Sequence, residues 1–347
     1  MPTLMTPALH LLGSAADGGA ETYFVDLVTA LHEAGAPTSA AIRPHADREE
    51  ALRGAGVPYE HFGFGSPLDL GTRPAIAQFA RGQGARVLVA WMNRAARHCP
   101  KGPWARVGRL GGYYDLKNYR GFDALVGNTR DIRDWIVGQG WPVERAHYIP
   151  NFAEADDHPA QSRAVLDTPR EAPLLLAMGR LHEAKAHDVT LRALAQIPGA
   201  VLWIAGSGPL EGELRRLADD LGVADRVRWL GWRADAGALY RAADVVVFPS
   251  RHEPLGNVVI QTWAYGKQVV AAAAAGPKAL IRDGVDGLIV PIDDPEVLAA
   301  TLNGLIKAPD LRQRLAAAGL ARAAEFSKAQ VLPLWTELFD QLDRERA

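Results

Sequence analysis

Short apolar runs alternate with longer amphipathic stretches along most of this chain, the pattern of parallel strands separated by crossover helices. In the first half, Pro7–Leu12, Thr38–Ile42 and Arg86–Trp91 read as strands, with shorter ones at Val107–Leu110, Ala124–Val126 and His147–Ile149. Ala20–Glu33 and Asn128–Gly138 carry helical spacing, and Ser14–Gly19 is a loop of small residues before the first of them. Asn151–Glu171 then breaks the rhythm with two prolines, several acids and no apolar period, and reads as an interdomain linker. The second half restarts with strands at Pro173–Met178, Ala200–Ala205, Arg226–Trp229, Asp244–Phe248, Gln268–Ala272 and Gly287–Val290. Helical stretches lie between them at Ala186–Gln196, Pro209–Leu221, Ala236–Ala242, Asn257–Tyr265 and Pro277–Ile281, followed by Glu296–Lys307, Pro309–Glu325 and Lys328–Arg346. The expected fold is α/β, with doubly wound domains at 1–165 and 166–327 and a ligand cleft between them.

Composition narrows this little. A chain of 347 residues suits two domains, and 48 % hydrophobic with 22 % charged residues describes a globular protein. A net charge of −2 gives no general electrostatic case for nucleic acid. The single cysteine, Cys99, excludes an intrachain disulfide framework. No signal-peptide pattern and no apolar run of about 18 residues is present, so a cytoplasmic protein is expected, with peripheral membrane contact left open. One local imbalance stands out: Arg94 to Arg133 holds nine Lys or Arg against three Asp, with Trp104, Tyr113, Tyr114 and Tyr119 interleaved. It reads either as a solvated basic face or as a patch for an acceptor or an anionic membrane, built on Arg94, Arg97, Lys101 and Arg109.

The chemistry concentrates where strands hand over to helices. Pro249-Ser250-Arg251-His252-Glu253-Pro254-Leu255-Gly256-Asn257 joins the strand ending at Phe248 to the next helix. The start of a helix offers unpaired N–H groups and a positive dipole end, suited to phosphate. A carboxylate there would repel phosphate, so Glu253 is read as an acceptor for neighbouring sugar hydroxyls. Gly179-Arg180-Leu181 follows the first strand of the second half, with Lys185 five residues after Arg180. Two such cations can clamp a diphosphate, one as a planar fork and one as a point charge. Gly206-Ser207-Gly208-Pro209 and Gly18-Gly19-Ala20-Glu21 make two further glycine turns into helices.

Together with Ile149-Pro150-Asn151, Gly276 and Asp283-Gly284-Val285-Asp286-Gly287-Leu288, these motifs resemble the retaining GT-B glycosyltransferases of family four, most of all the bacterial lipopolysaccharide-core branch. The resemblance covers nearly the whole chain. It implies two Rossmann-like domains facing across a cleft, with the last helix, 328–347, crossing back to the first. It implies that Arg180 and Lys185 bind the donor diphosphate and that Glu253 accepts hydrogen bonds from the donor sugar. Gly18, Gly19, Gly206, Gly208, Leu255, Gly256, Asn257 and Val258 would line the donor, and position 261 would hold the ribose hydroxyls. No metal or other cofactor is implied, and no Asp-x-Asp motif occurs in the chain. The expected donor is a UDP-hexose, with GDP-mannose or an ADP-heptose as alternatives; the expected acceptor is a lipopolysaccharide core or related surface glycan.

Two departures from the family pattern matter. A second glutamate usually follows the first with seven residues between, and here that position is Gln261, which can donate and accept but carries no charge. A histidine found after a mid-domain strand in many relatives is missing from Arg109-Leu110-Gly111-Gly112-Tyr113, with His98 as a weak substitute. These departures keep open a nucleotide-sugar binding protein without turnover. A dinucleotide oxidoreductase is disfavoured, because Leu12-Gly13-Ser14-Ala15-Ala16-Asp17 stands where a Gly-x-Gly-x-x-Gly would be needed.

Overall fold

The computed structural model describes residues 5–16, 18–65 and 69–346; Asp17, in the first loop, lies outside them. The chain divides into two compact units, Met1–Asn151 with Lys328–Ala347, and Phe152–Ser327.

The first unit is built on β1 (Ala8–Leu12), β2 (Thr38–Ile42), β3 (Tyr59–His61), β4 (Val87–Trp91), β5 (Ala105–Leu110), β6 (Ala124–Gly127) and β7 (Ala146–Tyr148). They form one sheet in the order β3-β2-β1-β4-β5-β6-β7, every pairing parallel. Strands β1, β2 and β4 are buried along their whole length, as expected where helices cover both faces. Four elements were not anticipated from sequence: β3 and the helices Ala46–Gly54, Thr72–Gly82 and Met92–His98. β3 is a three-residue, polar, half-exposed edge strand, and Ala46–Gly54 buries only Arg48 and Leu52, so neither has an apolar period to read.

The last helix, Lys328–Arg344, belongs to this first unit. Its Asp340 accepts from the backbone N–H and hydroxyl of Thr6 at 3.1 and 2.6 Å, and Asp343 pairs with Arg86 at 2.6 Å. Phe339 meets the ring of the fully buried His10 at 6.1 Å.

The second unit carries β8 (Leu174–Met178), β9 (Val201–Ala205), β10 (Val227–Gly231), β11 (Val245–Phe248), β12 (Val269–Ala272) and β13 (Leu288–Val290). Their order is β10-β9-β8-β11-β12-β13, again all parallel. The chain winds one way from β8 and the other way from β11, so the switch point lies between those two strands, where ligands of such sheets bind.

The division falls at Asn151, not at 165. Residues 152–165 are tied to the second unit: the Ala153 N–H bonds Phe326 O, the Gln161 N–H bonds Ala238 O, and the Arg163 guanidinium bonds Ala242 O and Asp244. A segment without periodicity reads as a linker, yet here its polar groups are spent on the body of the second unit.

Candidate active site

Both edges of the switch point are fixed by backbone. At the end of β8 the N–H of Gly179 bonds Ala205 O at 3.0 Å, and that of Leu181 bonds Ser207 O at 3.0 Å. Leu181 O in turn accepts from the Leu210 N–H at 3.1 Å. The loops after β8 and β9 therefore lie against each other, main chain on main chain. This explains Gly206 and Gly208: a Cβ on Gly206 would sit on the Gly179 carbonyl oxygen and one on Gly208 on the Leu181 carbonyl. Gly206 also has φ of +149°, a value that side chains rarely adopt. The motif thus holds the loop that carries Arg180.

Arg180 itself points outward. It is exposed, and its side chain makes no hydrogen bond or ion pair among the described residues. Its backbone is pinned on both sides while its guanidinium stays free, which suits a preorganised anion donor. Lys185 sits in a short turn, Glu183–Lys185, and the following Ala186 has φ of +52°. Such a conformation costs about 1–2 kcal/mol in a residue with a side chain, and persists only where its surroundings impose it. Lys185 Nζ is ion-paired with Glu253 Oε2 and lies 5.6 Å from the centre of the Phe248 ring. The pair is largely buried, with 27 % and 14 % of the two side chains exposed. Residues 68 positions apart, read separately from sequence, thus form one unit at the junction of β8 and β11.

Arg251 makes that junction rigid, and sequence reasoning missed it. Its guanidinium grips Asp188 with two bonds of 2.9 and 2.7 Å, Asp293 at 2.5 Å and Glu183 O at 2.9 Å; its N–H bonds Ala184 O. These carboxylates, Asp188 foremost, hold its pKa above the ordinary arginine value. The loop that carries Glu253 is thereby fastened to the turn that carries Lys185. No local pattern announces a residue whose partners lie 63 and 42 positions away.

Beyond Glu253, Gly256 takes φ of +92° and leads into the helix Asn257–Ala264, whose start no side chain caps. Leu255 and Gly256 are buried there, with Asn257 and Val258 in the first turn. Gln261 lies one turn on and accepts a hydrogen bond from the Tyr240 hydroxyl at 3.0 Å. In the first unit, Gly18 and Gly19 occupy the uncapped start of the helix Gly19–Glu33, after β1, with the Glu21 side chain folded over Gly18.

The basic patch does not hold together as one surface. Arg94 packs beside Gly13, at the end of β1, whereas Arg97 and Lys101 line a separate pocket. Arg109 leaves the patch altogether: it is 2 % exposed, donates to Asn151 Oδ1 at 2.6 Å and stacks on Trp91 and Tyr23 at 4.7 and 5.4 Å. Burial pulls its pKa below the ordinary value. The sequence signal was available, since a charge inside a strand covered on both faces must itself be buried. His98 is likewise buried, beside Phe64 and Gly65 O, where packing accounts for it.

His187 closes the floor of the site. It is 2 % exposed, and its Nε2 lies 3.3 Å from Gly179 O. Burial lowers its pKa from 6.5 to about 4. An unfolded chain protonates this ring below about pH 6.5 and the folded one only near 4, so the unfolded state binds more protons in that window. Stability should therefore fall as pH drops from 6.5 to 4, by about 3 kcal/mol from this residue. Urea melts at pH 7 and pH 5 check this: the loss should be smaller in His187→Gln, and an equal loss in both proteins would contradict it.

Among the described residues no group of three or more His, Cys, Asp or Glu is placed to hold a metal ion, and no helix is long and apolar enough to cross a membrane.

Two units, each a parallel sheet covered by helices, have the form of the GT-B fold, which solved glycosyltransferase structures share. A family model described as glycosyl transferases group 1 matches residues 172–308. The lipopolysaccharide core biosynthesis glycosyltransferase LpsE of Rhizobium meliloti is 38 % identical over 327 residues, 93 % of this chain and 96 % of that protein. LpsD of the same organism is 35 % identical over 331 residues, 94 % and 96 % of the two chains. The chain belongs to the group 1 glycosyltransferase family. Among solved structures, Anabaena HepE in complex with UDP-glucose superposes with a TM-score of 0.85 at 22 % identity, covering 97 % of this chain and 100 % of that one. WaaG, a glycosyltransferase involved in lipopolysaccharide biosynthesis, gives 0.72 at 17 % identity, covering 96 % and 99 %.

Proposed function

We propose that this glycosyltransferase moves a hexose from UDP to a lipopolysaccharide-core or related surface-glycan acceptor, with retention and without a metal, at the cytoplasmic face of a membrane. The observation that carries the reading is that the same strand end at the switch point carries an unpaired Arg180 on a pinned loop and the Lys185–Glu253 pair, with the Lys185 stem against Gly179. Similarity to LpsE and LpsD supports the acceptor class, and the UDP and UDP-glucose held by HepE support the donor base.

In this reading Arg180 and Lys185 receive the diphosphate and stabilise the charge that grows on it as it leaves. Lys185 has three donors, enough to keep Glu253 while reaching a phosphate oxygen. Glu253 takes hydroxyls of the sugar, and the uncapped start of the helix Asn257–Ala264 faces phosphate. With Tyr240 donating to its oxygen, Gln261 keeps its amide N–H groups for the ribose. The acceptor oxygen attacks the anomeric carbon on the face from which UDP departs. The carbon–phosphate-oxygen bond breaks, the new glycosidic bond forms, and the acceptor proton passes to the leaving phosphate oxygen. No protein nucleophile is required.

The test is transfer onto a purified core acceptor from UDP-glucose, UDP-galactose, GDP-mannose and ADP-heptose, with and without EDTA, the product anomer being read by NMR. Transfer from a UDP-hexose, insensitive to EDTA and with the donor's anomeric configuration, is expected. Transfer from GDP-mannose or ADP-heptose alone would overturn the donor assignment, and donor binding without turnover would leave a binding protein.

A further inference from the structure

A pocket of about 330 Å³ opens on the flank of the first unit's sheet, bounded by the end of the helix Met92–His98 and the starts of β5 and β6. The strands are all parallel, so their starts lie on the sheet edge opposite the end of β1, which Gly18 and Gly19 follow. Six cations line it, Arg73, Arg97, Lys101, Arg106, Lys117 and Arg120, and no carboxylate does. Three of them are already held. Arg73 donates to Arg97 O at 2.9 Å, Arg106 bonds Gly121 O and stacks on Phe122 at 4.9 Å, and Lys117 pairs with Asp115 at 2.6 Å. The side chains of Arg97, Lys101 and Arg120 make no hydrogen bond or ion pair among the described residues, and all three residues are exposed.

Like charges gathered in a concavity repel one another more strongly than on an open face, because less water screens them. An anion seated among them removes that cost. Guanidinium forks match the oxygens of a phosphate group, and the volume accommodates a diphosphate with its nearest attachments. We propose that this pocket is a second anion site, separate from the donor site, that takes a phosphate or diphosphate group, whether free or on a lipid headgroup. The remaining lining fits that use: the Cys99 thiol is buried, and burial pushes its pKa up to about 12, so it stays protonated beside the cations.

The proposal is tested without any sugar transfer. Inorganic pyrophosphate is titrated calorimetrically into Arg180→Ala/Lys185→Ala protein, whose donor site should hold it about 10²-fold less tightly. Binding is expected, and adding Arg97→Ala, Lys101→Ala and Arg120→Ala should weaken it by about 10²-fold or more. A second arm measures co-sedimentation with phosphatidylglycerol and phosphatidylcholine vesicles at about 0.15 M salt, where the Debye length is about 8 Å. Pyrophosphate binding lost in the triple variant assigns a site for free phosphate compounds. Binding to phosphatidylglycerol vesicles alone, lost in the same variant, assigns a headgroup site. The proposal fails if neither probe binds, or if binding is unchanged in a triple variant that melts like its parent.

Discussion

Arg180→Ala should lower kcat by about 10²-fold or more at saturating donor while leaving the melting temperature unchanged. The two halves of that expectation come from one observation. The side chain is exposed and has no partner among the described residues, so the folded protein loses nothing with it. Its loop is pinned through Gly179 and Leu181, so the transition state loses a donor held in place. Lys185→Ala should cut kcat by a similar factor, but it also strands the largely buried Glu253 carboxylate and should lower stability by about 1–3 kcal/mol. Steady-state kinetics with thermal melts separates the cases: a cation that acts only on phosphate shows the first pattern, and one shared with a carboxylate the second. Unchanged kcat in Arg180→Ala at saturating donor would remove it from the chemistry.

Gly206→Ala is expected to be among the most damaging single-methyl changes in the second unit. The added Cβ would meet the Gly179 carbonyl oxygen, a backbone atom that cannot swing aside, at a φ of +149°. Steric overlap and strained backbone together should cost about 3 kcal/mol or more, a fall of roughly 6–12 °C in melting temperature. The nearby Gly212 supplies the contrast. It lies in the helix Glu211–Asp220, where a Cβ would meet only the tip of Arg216 at 3.8 Å, so Gly212→Ala should be neutral or stabilise by about 0.5–1 kcal/mol. Melting both variants decides the matter, and similar melting temperatures would show that the loops after β8 and β9 do not lean on each other as described. Because Arg180 rides on the displaced loop, Gly206→Ala should also lose activity at temperatures where it remains folded.

The strands of the second unit were legible because parallel strands covered on both faces are continuous apolar runs, such as Val245–Phe248 and Val269–Ala272. The edge strand Tyr59–His61 and the polar helix Ala46–Gly54 bury too little to leave such a trace. In the candidate site, the glycines and charges singled out from sequence lie at strand ends, which a parallel sheet gathers on one edge. What joins the loops was not legible. The Lys185–Glu253 pair, the Arg251 clamp and the Tyr240–Gln261 bond all depend on which strands are neighbours, and strand order is a property of the topology. Arg109 shows the opposite error. Counted among surface charges, it sits in a strand whose register places it beside Trp91, and it turns inward to Asn151.

The most direct measurement is a calorimetric titration of UDP, in EDTA, into the wild-type protein and into Arg180→Ala/Lys185→Ala. Binding of UDP to the wild type without metal is predicted, weakened by about 10²-fold or more in the double variant through loss of two charge-assisted contacts. Folded wild-type protein that does not bind UDP, or a double variant that binds it as tightly as the wild type, would contradict the assignment of these two cations to the donor diphosphate.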